Sequence, residues 1–439
     1  MTMRRVLFSC VFTATAFAQA TLQLSMSRAV EIALSPEGST RVALAEQSIT
    51  RAETQVSQAK SALMPTVDGT FGARNQTVNL RTFGFNFDFP GFALPSVVGP
   101  FTVIDARAQA RWSVLDFASL KRYRAVQAGV DLSKADVEVT KTQVTDQVAR
   151  AYLAALRADA AYDAAQANMT LSKALVDQAS SRKDAGSGTG IEVTRAQVQL
   201  ANDSGKLIVA QNDRSRTILQ LLRAMGLDLS VPVQLTDKLS YTMADTGATE
   251  ALLQRARDGR VELRAQKQKE AVARLNTSAV DAERLPTVGT FGDYGGIGQP
   301  KLGLERTRTV GVTVTIPLFD AGRRKARREE SNSQLRTEQL RTRDLEQQIE
   351  LEVRLALESV RNAETQVSTA REGLALAQNE VEQAQRRVAA GVGIPLEVTD
   401  AQARLDRARD NQVVALYTHN LARLDLAVAT GHIQEFVQR

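Results

Sequence analysis

Residues 104–114 read Ile104-Asp105-Ala106-Arg107-Ala108-Gln109-Ala110-Arg111-Trp112-Ser113-Val114. Apolar and polar side chains alternate along this stretch, so a β-strand would place them on opposite faces of a sheet. One apolar face and one highly polar face are typical of a tilted transmembrane β-strand of about 9–11 residues. A strand of a soluble β-sandwich is the alternative interpretation.

The same period of two recurs in three other segments. Residues 309–316 alternate strictly, and one side of the strand carries Val310, Val312, Val314 and Ile316. Residues 66–74 alternate well, whereas 287–294 alternate poorly. The sequence therefore predicts two strand pairs, one in each half of the chain.

Long segments without proline separate these strand pairs. Proline is absent from 101–231, 233–285, 318–394 and 396–439, and these segments are rich in residues that favour helix. A helix over about 119–183 would be roughly 100 Å long. Two sets of apolar residues spaced by four and three predict helices packed in a coiled-coil manner. The sets are Val144, Val148, Ala151, Ala155 and Ile349, Val353, Ala356, Val360.

These two sets also reveal a tandem repeat, because corresponding positions lie 205 residues apart. The same offset aligns residues 185–197 with 390–402, where 8 of 13 positions are identical. The repeated unit is predicted to be helix, strand, strand, helix, helix. The predicted organisation is a signal peptide at 1–20, a first repeat at 21–226, a linker or equatorial region at 227–250, a second repeat at 251–431 and a C-terminal tail at 432–439.

The first 20 residues have the pattern of an export signal. Arg4 and Arg5 precede a short apolar stretch, and Ala18-Gln19-Ala20 matches a cleavage site. The mature chain is expected to begin at Thr21. Lipidation at Cys10 is the alternative, although the segment before Cys10 is short for an export signal.

Composition narrows the classes of function. The chain has 439 residues, 43% hydrophobic and 24% charged, which excludes disorder, collagen and a disulfide scaffold. Its net charge of +6 favours anionic partners. His419 and His432 lack metal-ligand spacing, and the glycines around 292–298 do not form a phosphate loop. The sequence predicts no enzyme, no cofactor and no metal site.

Aromatic residues concentrate between the first two strands. Seven of the 14 phenylalanines fall between residues 71 and 101. Aromatic rings favour the membrane–water boundary, so this segment is predicted to lie at a membrane interface. The predicted interface aromatics are Trp112, Phe83, Phe85, Phe87 and Phe89. A hairpin that packs on itself is the alternative.

Four strands in one chain cannot close a membrane sheet. Each open edge would leave unpaired backbone groups in hydrocarbon, so strands from several chains must close together. A barrel of about 8 strands, which two chains would supply, is filled by side chains, whereas about 12 strands from three chains leave room for a conduit. A trimer is therefore the smaller assembly that makes a pore.

Several motifs together resemble a known family. They are the strand entries Pro65-Thr66-Val67 and Pro286-Thr287-Val288, the strand exit at 317–322, and the paired Gly-x-Gly turns before Glu-Val-Thr. Over nearly all of 21–431 the chain resembles the TolC-like outer-membrane efflux proteins. The resemblance implies a mainly α fold with a membrane β-barrel, in which a homotrimer shares a 12-stranded barrel and a long periplasmic α-helical barrel.

The same resemblance implies function, location and partners. It implies a passive export channel in the outer membrane that extends into the periplasm and serves a tripartite efflux or type I secretion system. The implied partners are a periplasmic adaptor (membrane fusion protein), an inner-membrane pump and outer-membrane lipid, with no nucleic acid. A periplasmic coiled-coil adaptor or scaffold without a pore is the alternative.

The resemblance also implies a periplasmic gate built from acidic residues. Glu397 and Asp400 match the family's acidic ring, and Glu192 aligns with Glu397 but has Arg195 as its companion. Three copies would form a cation-binding constriction. An ordinary helix start, where acids favour the dipole, is the alternative. Gly393 stands where some members have a latch arginine.

The resemblance also assigns a role to the glycines of the helix-reversing turns. Glycines in the helix-reversing turns, Gly186, Gly188, Gly391 and Gly393, are implied to contact the adaptor, although turn geometry alone also explains them.

The basic residues Arg323, Arg324, Arg327 and Arg328 follow the last strand, and Lys121, Arg122 and Arg124 follow the second. Cations oppose the dipole at a helix start, so anionic lipid or acids of another subunit are expected to compensate them. A solvated face or a nucleic-acid contact are the alternatives.

Overall fold

The computed structural model describes residues 22–35, 38–84, 91, 95–244 and 246–438. The first half contains β1 (Leu22–Leu24), α1 (Met26–Leu34), α2 (Thr40–Ser61), β2 (Thr66–Asn79), a 3-10 turn (Leu80–Phe83), β3 (Val97–Leu115), α3 (Phe117–Asp184) and α4 (Gly190–Met225). The second half contains β4 (Val233–Leu235), α5 (Thr249–Gly259), α6 (Val261–Ala282), β5 (Thr287–Gln299), β6 (Gly303–Thr315), α7 (Arg323–Ala389), α8 (Pro395–Ala429) and α9 (Ile433–Gln438).

The two halves follow the same order of elements. Each runs through a short strand, two helices, two long strands and two long helices. The repeat predicted above has one helix before its strand pair and no short strand. Strands of three residues are too short to show a period, so β1 and β4 were not predicted. The predicted linker contains β4, and the predicted tail contains α9. Ile433 and Val437 lie one helical turn apart and both are buried, so this segment is part of the core.

Contacts divide the chain into two compact units. The first unit contains the described residues up to Ala43, together with Thr140–Arg260 and the residues from Gln348 onward. The second unit contains Leu44–Val139 and Val261–Gln347. Each unit therefore draws on both halves of the sequence.

The core of the first unit forms around the parallel pair of β1 and β4. The largest buried side chains include Leu24, Tyr152, Leu221 and Leu424. The hydroxyl oxygen of Tyr152 lies 2.9 Å from the carbonyl oxygen of Leu24 and 2.8 Å from Oδ2 of Asp237. Burial, followed by the hydrogen bond to Asp237, raises the pKa of the Tyr152 phenol.

The long helices predicted from the absence of proline are present. Helix α3 has 68 residues and α7 has 67. Most members of the two predicted apolar stripes, such as Val148 and Val353, are buried. A separate cluster joins α7 to α8 through Ala377, Val381 and Ala384 on one helix and Val398, Ala401 and Leu405 on the other. Their three-and-four spacing is that of side chains interlocking between two coiled helices.

No helix in the described ranges carries an apolar stretch of the length and character needed to cross a bilayer.

The second unit contains an antiparallel sheet in the order β2-β3-β5-β6. The strands are 14, 19, 13 and 13 residues long, so each extends beyond its predicted bounds at one or both ends. The predicted strand with poor alternation, 287–294, forms all the same. Its glycines leave the alternation faint, and Gly295 lies so close to the backbone of Ala106 and Arg107 that a side chain would collide there.

Candidate functional site

The register of the sheet gives it two different faces. Val67 pairs with Ala110 and Phe71 pairs with Ala106, so the apolar side chains of β2 and β3 share a face. Across β5, the same face continues to Val310, Val312 and Val314 of β6. The apolar face predicted from 104–114 therefore extends across the four-stranded sheet at the end that carries Trp112 and Val312, whereas the rows of Ala106 and Ala108 lead to Arg306 and Arg308 on β6.

The opposite face carries a compact charge cluster. The guanidinium of Arg107 on β3 lies 2.6 Å from Asp105 of the same strand and 3.1 Å from Asp293 of β5. These two carboxylates share one cation between neighbouring strands. This cluster therefore ties β3 to β5 on the polar face.

Both outer strands of this sheet have a free edge. Within the described residues, β2 pairs only with β3, and β6 pairs only with β5. Both edge strands also expose apolar side chains, and Val312 is 68% exposed. Open strand edges are templates for pairing with another chain.

The two helix-reversing turns are built in the same way. Helix α3 ends with hydrogen bonds from Gly186 N to Lys183 O and from Ser187 N to Arg182 O, each 2.9 Å long. Gly391 N and Val392 N make the equivalent bonds after α7. This is the Schellman pattern, which requires a left-handed residue after the helix. Gly186 and Gly391 supply it with φ values of +73° and +75°.

The second glycine of each turn has a different physical role. A Cβ at Gly188 would lie 3.0 Å from Lys183 N, and one at Gly393 would lie 2.9 Å from the Cβ of Arg387. Both positions therefore need glycine because the chain passes close to the helix that it has just left. The open surroundings of Gly186 and Gly391 leave the outer side of each turn accessible.

Glu397, predicted in the acidic gate, bonds across its own turn. Nε of Arg387 on α7 donates to Oε2 of Glu397 on α8 over 3.2 Å. The family resemblance places Gly393 where some members have a latch arginine. Here Arg387, on the preceding helix, brings an arginine to the Glu397 carboxylate. Asp400 is exposed and acts electrostatically on Arg404, whose pKa is raised first by its hydrogen bond to Glu380.

Glu192 lies at the start of α4, as its alignment with Glu397 predicts. Its side chain is half-buried and lines a cavity together with its companion Arg195. Glu397, in contrast, forms an ion pair with Arg387 across its own turn. The two aligned acids therefore have different surroundings.

The basic helix starts have acidic partners within their own chain, a source of compensation that was not among those expected. Glu283, which follows α6, accepts hydrogen bonds from Arg122 at 3.1 Å and from Arg327 at 2.7 Å. Arg328 lies 2.8 Å from Asp281. Acids of the same chain therefore compensate these cations, because α6 ends beside the first turns of α3 and α7.

Arg324 is also compensated within the chain. Its guanidinium lies 2.7 Å from Asp320, which also accepts from the Arg324 backbone N–H. Burial opposes the ionisation of Asp320, but the bonds from Arg324 outweigh it and lower the pKa of this carboxyl. Arg323 remains exposed to solvent.

The structure describes only some of the predicted interface aromatics. Trp112 lies on the apolar face, and its Nε1–H donates to the carbonyl oxygen of Leu63 over 3.0 Å. Phe83 belongs to the 3-10 turn after β2. Phe85, Phe87 and Phe89 lie outside the described residues, as does the predicted signal segment.

Both histidines serve packing. His419 is buried, stacks on Tyr241 with ring centroids 4.9 Å apart, and places Nε2 2.9 Å from the carbonyl oxygen of Thr242. His432 places Nδ1 2.8 Å from the carbonyl oxygen of Thr430.

A buried polar layer, which no pattern in the sequence predicted, lies between α3, α4 and α8. Ser172 donates to Asp203 over 2.5 Å, and Lys206 lies 3.7 Å from both Asp203 and Asp406. Asp203 is only 1% exposed. Burial, followed by the charge of Asp203, raises the pKa of Asp406. A sign of this buried layer in the sequence is Asp406, an acidic residue that directly follows the apolar position Leu405.

Comparison with known proteins agrees with this architecture. Residues 34–227 and 252–432 match the model of the outer membrane efflux protein family. The chain belongs to the outer membrane efflux protein family. The family is one of transport channels and not of enzymes.

Particular relatives support this assignment. The outer membrane protein TolC of Vibrio cholerae is 23% identical over 347 residues, which cover 74% of each chain. The fold resembles the CmeC outer membrane channel of Campylobacter jejuni, with a TM-score of 0.78, 16% identity and coverage of 99% and 94%. It also resembles the open state of the MtrE outer membrane channel of Neisseria gonorrhoeae, with a TM-score of 0.74, 17% identity and coverage of 93% and 89%. The predicted family is confirmed, and the coiled-coil adaptor alternative is excluded.

Proposed function

We propose that the chain is the outer-membrane conduit of a tripartite efflux or type I secretion system and acts as a homotrimer. The observation that carries this proposal is a four-stranded sheet with two free edges and one apolar face. Three copies would pair β2 of one chain with β6 of the next and form 12 strands. The apolar face would then meet lipid, and the face with Arg107 and Asp293 would line the pore.

The tips of the helices are proposed to form the periplasmic gate and the adaptor contact. Glu397 and Asp400 would form an acidic ring with Glu192 beside it. Gly186, Gly188, Gly391 and Gly393 would shape the turns that meet a periplasmic adaptor, which in turn binds an inner-membrane pump.

One membrane boundary is proposed to lie near Trp112, and the opposite boundary near the phenylalanine-rich segment that follows β2, because these mark the two ends of β3. Trp112 combines an exposed ring with a bonded N–H, as interfacial aromatics do. Exposed Arg323, together with any charge left by the ion pairs of Arg324, Arg327 and Arg328, would meet anionic headgroups.

Two adjacent positions on β6 test the proposal. Val312 points to the apolar face and Thr313 points to the polar face. Val312→Arg should weaken the folded channel in liposomes by about 1 kcal/mol, because arginine is costly on a lipid face and Val312 lies in the same register row as the boundary residue Trp112, where that cost is lower than at the midplane. The matched change Thr313→Arg should have little effect on stability.

The readouts are urea unfolding in liposomes and conductance in planar bilayers. A conducting particle in which only Val312→Arg lowers stability supports the proposal. Equal effects of the two variants, or a particle that does not conduct, would contradict it.

A further inference from the structure

A cavity of about 370 Å³ lies among the ends of α3, α4, α7 and α8. It is the cavity that Glu192 and Arg195 line, and all of its lining residues belong to the first compact unit. Arg182, in the last turn of α3, lines it as well. Two cations and one carboxylate therefore face the same space.

The second repeat shows how two of these charges could have neutralised each other. Arg387 and Glu397 lie 205 residues after Arg182 and Glu192, respectively. Arg387 bonds to Glu397 across its turn, whereas Arg182 and Glu192 form no ion pair within the described residues. Arg195 has no acidic partner in that part of the chain either. The lining of the cavity therefore keeps a positive charge that its own carboxylate does not cancel.

The remaining wall is largely apolar. Leu175 and Val388 are half-buried and Val398 is buried, whereas Arg195 is exposed, so the apolar wall lies deeper than this cation. Small-molecule sites typically measure about 300–1,000 Å³ and combine an apolar wall with a few polar groups. Guanidinium groups present paired N–H donors that match the geometry of a carboxylate. The cavity therefore suits a molecule with an apolar body and one anionic end.

We propose that this cavity binds a small organic monoanion in which a carboxylate is joined to an apolar body. The carboxylate would accept hydrogen bonds from Arg182 and Arg195, and the apolar body would cover Leu175 and Val398. Glu192 would disfavour a second negative charge on the ligand. Binding here does not require that the chain conduct, so this proposal and the proposed export function fail independently.

Two probes of the same shape separate the charge contact from apolar burial. 2-Naphthoate and 2-naphthamide share their ring system, but only 2-naphthoate carries a negative charge. Binding of each is measured by equilibrium dialysis against the full chain in nanodiscs of phosphatidylcholine, with empty nanodiscs subtracted. Wild type should prefer 2-naphthoate by at least about tenfold, because hydrogen bonds to charged groups are the stronger ones.

Four variants assign this preference to the lining charges. Arg182→Gln and Arg195→Gln should each reduce it about threefold, as expected for partly exposed ion pairs. Glu192→Gln should increase it, because the competing carboxylate is removed. Lys183→Gln is the matched control, since Lys183 is an exposed cation next to Arg182 that does not line the cavity, and it should leave the preference unchanged.

Circular dichroism reports whether each variant is folded. No binding of 2-naphthoate to wild type, or equal binding of the two probes, would overturn the proposal. An equal loss of preference in folded Lys183→Gln and Arg182→Gln would also overturn it, because the anion would then respond to the general charge of the turn and not to the cavity.

Discussion

Arg387 and Glu397 join the last turn of α7 to the first turn of α8 through a 3.2 Å hydrogen bond. Both side chains are partly exposed, so the pair contributes only about 0–1 kcal/mol to stability. Its importance lies in the charge that it removes from a proposed acidic ring. Each Glu397 in that ring is partly neutralised by its own chain.

Opposite effects on ion selectivity are therefore expected from the two partners. Arg387→Gln frees Glu397 and should increase cation selectivity in single-channel recordings. Glu397→Gln removes the carboxylate and should decrease it. Arg386→Gln is the control, because Arg386 pairs with Glu382 instead. Selectivity changes of the same sign for Arg387→Gln and Glu397→Gln would contradict the acidic ring.

Gly391, in the turn after α7, and Gly373, inside α7, should respond to alanine with opposite signs. Gly391 has a φ of +75°, so Gly391→Ala should destabilise the fold by about 1–2 kcal/mol. Gly373 lies inside α7 with open space around it, so Gly373→Ala should stabilise the fold by about 0.5–1 kcal/mol. Thermal unfolding of both variants checks the prediction. Destabilisation by both would show that the turn conformation is not the cause.

The carboxylate of Glu283 should contribute much more to the free energy of unfolding than an exposed carboxylate does. It is 13% exposed and serves both Arg122 and Arg327. Glu283→Gln leaves two cations poorly paired at helix starts and should cost about 1–3 kcal/mol. Glu329→Gln is the matched control, because Glu329 is exposed and its Lys325 partner lies 3.9 Å away. Equal losses in denaturant unfolding would argue against this role for Glu283.

Asp406 should make stability depend on pH. Its pKa is raised in the folded state by burial and then by Asp203, so folding favours the protonated form. The contribution is present below the unfolded pKa of about 3.9 and is lost as the pH rises through the folded pKa. Asp406→Asn should therefore gain stability relative to wild type as the pH rises. A difference in melting temperature that stays constant between acid and neutral pH would contradict this.

Local patterns predicted the elements that have their own period or turn chemistry. The alternation of 104–114 predicted β3, and the paired glycines at 186 and 391 marked the helix reversals. The strands ran longer than predicted because pairing with a neighbour sustains a strand where its own alternation has ended. β5 shows this most clearly, since its glycines serve close approach to β3.

Contacts between distant parts of the chain were beyond such patterns. Gln197 and Gln402 occupy equivalent positions in the repeat, yet Gln197 is exposed and Gln402 is buried. The Asp203–Lys206–Asp406 cluster likewise brings α4 and α8 together. Burial at these positions depends on how helices from the two halves pack, and no local period records that.

Imaging of the full-length particle after extraction in detergent tests the central claim most directly. The account predicts three copies around one axis, with β2 of each chain paired with β6 of the next in a closed sheet of 12 strands. A monomer, or an assembly in which both strand edges remain unpaired, would contradict it.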